Sequence, residues 1–388
     1  MSHWRAERLS RLPPYLFVEI DRKKQEAVAA GRDVIDFGVG DPDAPTPGFI
    51  VDRMADAIRR PANHRYALGV GSPALRASVQ RFFARRFGVA LDASREIIAL
   101  LGSKEGLGHV PTAVLDPGDV ALVPDPGYPV YEAATLFAGG VCHRMALLAD
   151  RGWLPALDDI PADVCGRARV MFLNYPNNPT AATAPRAFFE AAVAFARAHD
   201  ILIVQDAAYS EIYFDDPPLS VLQVDGAKEV CIELHSLSKS FNMTGWRIGF
   251  AVGSADALAA LASVKANYDS GVFMAVQEAG IAALDEYDHV DVRARVDMYR
   301  RRRDIVVRGL ERAGWDVPVP RATFYVFARA PGGRDSMSAA RRILDDADVV
   351  VIPGVGFGPS GEGYVRFALT VDEDRTRAAL DRIADLTW

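Results

Sequence analysis

Six short apolar runs between residues 95 and 255, separated by helical stretches, restrict the fold of this chain more than any other feature. They read EIIALLG (96–102), DVALVPD (119–125), RVMFLNY (169–175), DILIVQDAA (200–208), EVCIELHS (229–236) and RIGFAVG (247–253). Their apolar residues are nearly continuous rather than alternating, the pattern of strands buried on both faces of a mainly parallel sheet. Between two of them, PRAFFEAAVAFARAH (185–199) opens with a proline and repeats Phe188, Ala192, Phe195 and Phe189, Val193, Ala196 at helical spacing. A stripe that wide packs a helix onto a sheet. Strands alternating with helices predict an α/β domain with a mainly parallel sheet flanked by helices.

The pattern changes after about residue 285. The basic segment VRARVDMYRRRRDIVVRGLERAG (292–314) predicts a helix, followed by short strands at TFYVFAR (323–329), VVVIPG (349–354) and GYVRFAL (363–369). These describe a second, smaller α+β domain, and 388 residues suit one large and one small domain. The expected division is an N-terminal arm and part of the small domain over 1–45, the large domain over 46–284, and the C-terminal small domain over 285–388. The arginines Arg300 to Arg303 read as a solvated helix face. The arm from Pro13 to Glu19, with Tyr15, Leu16 and Phe17, is expected to pack against the body of the protein.

Composition excludes several classes. A net charge of −7 argues against general binding to nucleic acid or to an anionic membrane. The opening MSHWRAERLSRLPPYLF lacks an apolar stretch of signal-peptide length, so a cytoplasmic protein is expected. Cys142, Cys165 and Cys231 lie far apart, without a CxxC pair or a histidine cluster, so neither a disulfide framework nor a metal site is expected.

In an open parallel sheet, ligands gather beyond the carboxyl ends of the strands. Four loops there carry unusual residues. Ser103-Lys104-Glu105-Gly106 opens a helix after the first run, where N–H groups could hold a phosphate. PNNPT (176–180) follows the third, Asp206 and Tyr209 lie in or just after the fourth, and HSLSKSFNMTGWRIGF (235–250) follows the fifth. A carboxylate at the end of a buried strand is desolvated unless it faces a cation, though a helix cap or an internal salt bridge would also satisfy it. Paired with a lysine at the end of the next strand, it points to a cationic aromatic cofactor between the two.

The series Asn178-Pro179, Asp206-x-x-Tyr209, Ser236-x-Ser238-Lys239 and Arg247, with GVGDP (38–42), PDPGYPVY (124–131) and the late Arg366, resembles the aspartate-aminotransferase superfamily of pyridoxal-phosphate enzymes, fold type I, class I/II. The resemblance spans nearly the whole chain. It implies a large domain with a seven-stranded, mainly parallel sheet, pyridoxal 5'-phosphate as cofactor, and an amino acid and a 2-oxo acid as substrates. It also implies residue roles. Lys239 would form an imine with the cofactor aldehyde and later carry a proton, and Asp206 would bond the pyridine nitrogen. Tyr209 and Asn178 would hydrogen-bond the phenolate oxygen, and Tyr128 would stack on the ring. Ser103, Lys104, Ser236, Ser238 and Arg247 would hold the phosphate, with Gly245 expected where the backbone turns tightly. Arg366 would grip the substrate carboxylate. Tyr66 would reach the phosphate of a neighbouring subunit, which implies a homodimer with shared sites.

Within that superfamily, LPPYLFVEIDRKKQEA, NHRY, GSKEG and HSLSKSFNMTGWRIG most resemble bacterial LL-diaminopimelate aminotransferases, with 2-oxoglutarate and glutamate as the second pair. Tyr15, Gly40, Lys104, Tyr128 and Asn178 would then line the substrate pocket with Arg366. Two departures stand out. Ala181 occupies the last position of the usual NNPTG, expected to be harmless at a negative φ. In HRYALGVG (64–71), Ala67, Leu68, Gly69 and Val70 offer no side-chain hydrogen bond where relatives often reach across the dimer with glutamate or tyrosine. Other readings stay open: an enzyme of the same fold acting on another amino acid, a lyase or oxidase, or a non-catalytic binding protein.

Overall fold

The computed structural model describes residue 4 and residues 6–12, 16–67 and 69–388; Tyr15 and Leu68 lie outside these, as do the side chains of residues 16–19. In chain order the strands are β1 (Ile35–Asp36), β2 (Ile97–Leu100), β3 (Val120–Asp125), β4 (Val141–Ala146), β5 (Ala168–Asn174), β6 (Leu202–Asp206), β7 (Cys231–Ser236), β8 (Gly249–Gly253), β9 (Tyr325–Arg329), β10 (Val349–Val350), β11 (Ile352–Pro353) and β12 (Tyr364–Ala368).

Strands β2 to β8 form one seven-stranded sheet in the order β2-β8-β7-β6-β5-β3-β4. β3, β4, β5, β6 and β7 pair in parallel, whereas β8 runs antiparallel to both β7 and β2. The sheet is therefore mainly parallel, with one reversed strand from the run RIGFAVG. All six apolar runs form strands. β4, sequence VCHRMA, was not among them: it lies at one edge of the sheet and buries only Met145, so its composition carries no buried-run signal.

Burial on both faces explains the continuous apolar runs. On one face Ile97, Leu122, Met171, Ile203 and Phe250 join a core with Phe82, Phe83 and Phe189. On the other, Ile98, Val123, Phe172, Val204 and Ala251 join a core with Leu107, Tyr131 and Leu258. Each fully buried side chain of this size contributes about 1.5–3 kcal/mol relative to exposure. The helix Arg186–His199 buries Phe188, Phe189, Ala192, Val193 and Ala196 on the first face, following its stripe.

A further core surrounds Phe37, Tyr299, Phe324, Val326, Ile343 and Phe367. There β9, β11 and β12 make a three-stranded antiparallel sheet, and β1 pairs in parallel with β10, Ile35 opposite Val349. VVVIPG is split between β10 and β11 rather than forming one strand. The helix Val290–Arg312 carries the arginine run, and only part of that run is solvated. Arg301 is exposed and Arg300 half-buried, but Arg302 is buried in a two-toothed pair with Asp43 at 2.7 Å, and Arg303 packs over Phe214. A helix of 23 residues lying across the chain buries more of its circumference than its charge pattern shows.

Candidate active site

The connections leave β3 towards one edge of the sheet and β5 towards the other, which makes the carboxyl end between them the topological switch point. There a cavity of about 400 Å³ opens, lined among others by Gly40, Ser103, Lys104, Tyr128, Asn178, Asp206, Tyr209, Ser236, Ser238, Lys239, Arg247 and Arg366. Of the residues expected to act, only Tyr66 and Tyr15 are not among its lining. Tyr66 is 82% exposed, and Tyr15 lies outside the described residues.

Asp206 ends β6 and is buried; the Tyr131 hydroxyl donates to its Oδ2 at 2.8 Å and the Ala208 N–H to its Oδ1 at 3.2 Å. Burial raises its pKa to about 6, although both hydrogen bonds favour the ionised form. Among the described residues no basic side chain pairs with it. Asn174, opposite Asp206 in the next strand, donates to the Asp206 carbonyl at 2.8 Å and accepts the Asn178 N–H at 2.8 Å, fixing two loops to each other.

Lys239 lies on the single turn Leu237–Ser240, whose cap is Ser236. Its Nζ donates to the Gly40 carbonyl at 2.6 Å. Burial lowers its pKa to about 8; Asp41 works against that, and Arg366 and Arg247 work with it. An amine held there is partly uncharged near neutral pH, as a nucleophile and proton carrier must be.

Two arginines close the ends of the cavity. Arg366, on β12, is 4% exposed, donating from Nη1 to Asn178 Oδ1 at 2.9 Å and from Nη2 to the Gly38 carbonyl at 2.7 Å. Its guanidinium lies over the rings of Tyr325, at 4.3 Å, and Phe357, at 4.8 Å. Its Nε is buried with no hydrogen-bond partner among the described residues. The residue lines the cavity, and its guanidinium is a place for a planar anion such as a carboxylate. At the other end Arg247 bonds the carbonyls of Thr244, at 2.7 Å, and Leu101, at 3.2 Å, with Ser238 Oγ at 3.4 Å. It lies against Gly102, where a Cβ would meet Nη2 at 2.3 Å. The helix Ser103–Val114 starts beside it without a side-chain cap, and Lys104 is exposed at the rim.

One expectation needs correction: Ala181 is at φ 60°, not negative, so it occupies a region that disfavours a Cβ. Gly245 lies in the turn closed by the Trp246 N–H donating to the Met243 carbonyl at 3.2 Å; the positive φ values in its loop belong to Asn242 (53°) and Arg247 (55°). In the segment after Tyr66, the Val70 carbonyl accepts the Ala99 N–H at 2.9 Å and the Val70 side chain packs on the chain's own core.

Residue-by-residue reading also missed several groups. The Tyr325 hydroxyl lies 3.0 Å from that of Tyr209, its ring supports Arg366, and a Cβ on Gly40 would meet its oxygen at 2.1 Å. Tyr131 and Phe357 were also overlooked. Tyr131 stands in PDPGYPVY beside the chosen Tyr128, and only the fold shows which ring reaches Asp206.

An LL-diaminopimelate aminotransferase of Syntrophobacter fumaroxidans is 54% identical to this chain over 389 residues, covering 100% of each chain. An aminotransferase from Staphylococcus aureus superposes with a TM-score of 0.91 at 33% identity, covering 98% of each chain. Aspartate aminotransferase from Thermus thermophilus, with maleate, gives 0.89 at 31% identity, again over 98% of each chain. Residues 32–383 match the family Aminotransferase class I and II, and with these relatives the chain belongs to that family and is a fold type I aminotransferase.

Proposed function

We propose that the cavity binds pyridoxal 5'-phosphate and that the protein moves an amino group reversibly between LL-diaminopimelate and 2-oxoglutarate, the latter becoming glutamate when it accepts the group. The observation that carries the reading is the pair of groups lining one cavity, the buried Asp206 carboxylate, which has no basic partner among the described residues, and the Arg366 guanidinium. A ring carrying a protonated nitrogen fits the first, and an amino-acid carboxylate fits the second. When bound, the cofactor supplies an aldehyde that captures amines and a ring that withdraws electrons from the adjacent carbon.

The chain's own residues supply the rest. Asp206 would accept the hydrogen bond of the ring nitrogen and keep its proton there. Tyr209 would donate to the phenolate oxygen, as would the Asn178 amide, whose Oδ1 is already taken by Arg366. Tyr128 would cover the ring. The open helix start at Ser103 and Lys104, with Ser236, Ser238 and Arg247, would hold the phosphate. Lys239 would hold the aldehyde carbon at rest and, once displaced, move a proton at its Nζ.

Gly40 and Lys104 would line the substrate side, and Tyr15 belongs to the same proposed set. Because Tyr66 points away from its own cavity, it would serve the phosphate of a second copy in a homodimer. The division into segments 1–45, 46–284 and 285–388 is supported by the separate core around Phe37 and by the pairing of β1 with β10. Among the described residues no helix is long and apolar enough to cross a membrane, and a cytoplasmic location is part of the same reading.

The substrate assignment is supported by the relative with 54% identity. It is tested by kcat/KM with 2-oxoglutarate for LL-diaminopimelate against lysine, ornithine, glutamate and aromatic amino acids. Preference for another donor by tenfold or more, roughly 1.4 kcal/mol, would replace diaminopimelate in this reading.

A further inference from the structure

Lys265, on the helix Ala255–Tyr268, is only 1% exposed. Its ammonium lies 2.8 Å from Glu105 Oε1 and 3.1 Å from Asp269 Oδ2. The other oxygen of Glu105 accepts the Leu101 N–H at 2.8 Å, and Asp269 Oδ1 accepts the Gly271 N–H at 2.7 Å. His109 Nδ1 lies 2.9 Å from the same Glu105 oxygen, and its ring packs on Tyr268 at 5.0 Å. Glu105, His109 and Asp269 have the spacing of metal ligands, but the ammonium already lies between the two carboxylates and supplies the cation.

The location gives this buried pair a consequence. Glu105 is in the first turn of helix Ser103–Val114, directly after Ser103 and Lys104, and its carboxylate holds the backbone of Leu101 at the lip of the cavity. A helix start favours negative charge, so Glu105 and a bound phosphate compete for the same field. Without Lys265, two largely buried carboxylates would stand beside an anion site with only the His109 ring and backbone N–H groups as partners, in a setting where water screens weakly. We propose that Lys265 is a positioning residue for the cofactor phosphate: its positive charge between Glu105 and Asp269 cancels one of their two negative charges so that the helix start at Ser103 can accept an anion, while Glu105 keeps the Leu101 backbone in register.

This inference rests on the cavity holding pyridoxal phosphate, and the test separates the two. Cofactor-stripped wild type and Lys265→Met are titrated with pyridoxal phosphate and with pyridoxal, which lacks the phosphate. The expected result is a loss on the order of tenfold or more in affinity for the phosphorylated form, with pyridoxal changed by about twofold or less. Equal losses for both ligands, or no loss for either, would overturn the proposal, since a merely structural lysine would not discriminate between them. If Lys265→Met does not fold, Glu105→Gln takes its place. It removes one anion and retains an acceptor for Leu101, so the ratio of the two affinities should stay or rise, and a fall overturns the proposal. A wild type that binds both ligands equally would refute the phosphate site itself, and with it the role of Lys265, whereas a wild type that discriminates beside a variant that loses both equally would refute the role of Lys265 alone.

Discussion

On the proposed reading, one end of the cavity takes the substrate carboxylate and the other the cofactor phosphate, and the two ends present their arginines by opposite means. At the carboxylate end, Arg366 extends from a regular strand, is buried, and has its fork fixed by Asn178, the Gly38 carbonyl and two aromatic rings. At the phosphate end, Arg247 is exposed, sits at φ 55° on a loop, and is held by backbone carbonyls. A substrate arrives and leaves in every cycle, so its site must be preformed and dry. A cofactor that stays can be held by many weaker contacts spread over a helix start and a loop.

The largest effect should come from breaking the carboxylate end. Arg366→Met strands the Asn178 and Gly38 acceptors and removes a buried fork, so kcat/KM for every amino and 2-oxo acid should fall about a hundredfold or more. Affinity for pyridoxal phosphate, measured by titration, should hardly move. A comparable loss in both would mean that the two ends do not work separately.

Between the ends stands Asp206. Its folded pKa is raised by burial from 3.8 to about 6, so the folded, cofactor-free protein keeps a proton that the unfolded chain has released. Its stabilising contribution is present below pH 3.8 and is lost as pH rises to about 6. Denaturant unfolding of cofactor-free protein across that window should show a decline that Asp206→Asn flattens, a difference of roughly 2–3 kcal/mol. Bound cofactor should offset the decline by supplying a cation.

Arg247→Met should act on the phosphate end alone, weakening pyridoxal-phosphate binding about tenfold while leaving KM for amino acids unchanged at saturating cofactor. The smallest effect concerns backbone strain. Ala181, in the loop that carries Asn178, is at φ 60°. Ala181→Gly should relieve it and stabilise the protein by about 0.5–1 kcal/mol, read as a rise in Tm without change in kcat. Loss of activity would show that the strain orients Asn178.

What was legible in the sequence depended on how local the cause was. Strands buried on both faces declare themselves by composition, and Lys239 and Asp206 stand out because charge at the end of such a strand is costly. β4 escaped because most of its residues are exposed or half-buried and VCHRMA carries no apolar run. Tyr325 escaped because its meaning lies in contacts with Tyr209, Gly40 and Arg366, residues distant along the chain. Gly245 marked a turn, but the left-handed positions of that loop went to Asn242 and Arg247, which no composition signal picks out.

The pairing of β1 with β10 bears on the order in which the chain becomes competent. Residues 38–40, which follow β1, give one carbonyl to Arg366 and another to Lys239. They are anchored by Ile35 opposite Val349 and by the Phe37 carbonyl, which accepts the Ala368 N–H. During synthesis the seven-stranded sheet can close once Gly253 has emerged from the ribosome, but the loop that holds both cations lacks its β10 anchor until Val349 has followed, and its partners Arg366 and Ala368 come later still. The first residues made are among the last to be fixed, and a nascent or truncated chain has its great sheet before it has a working site.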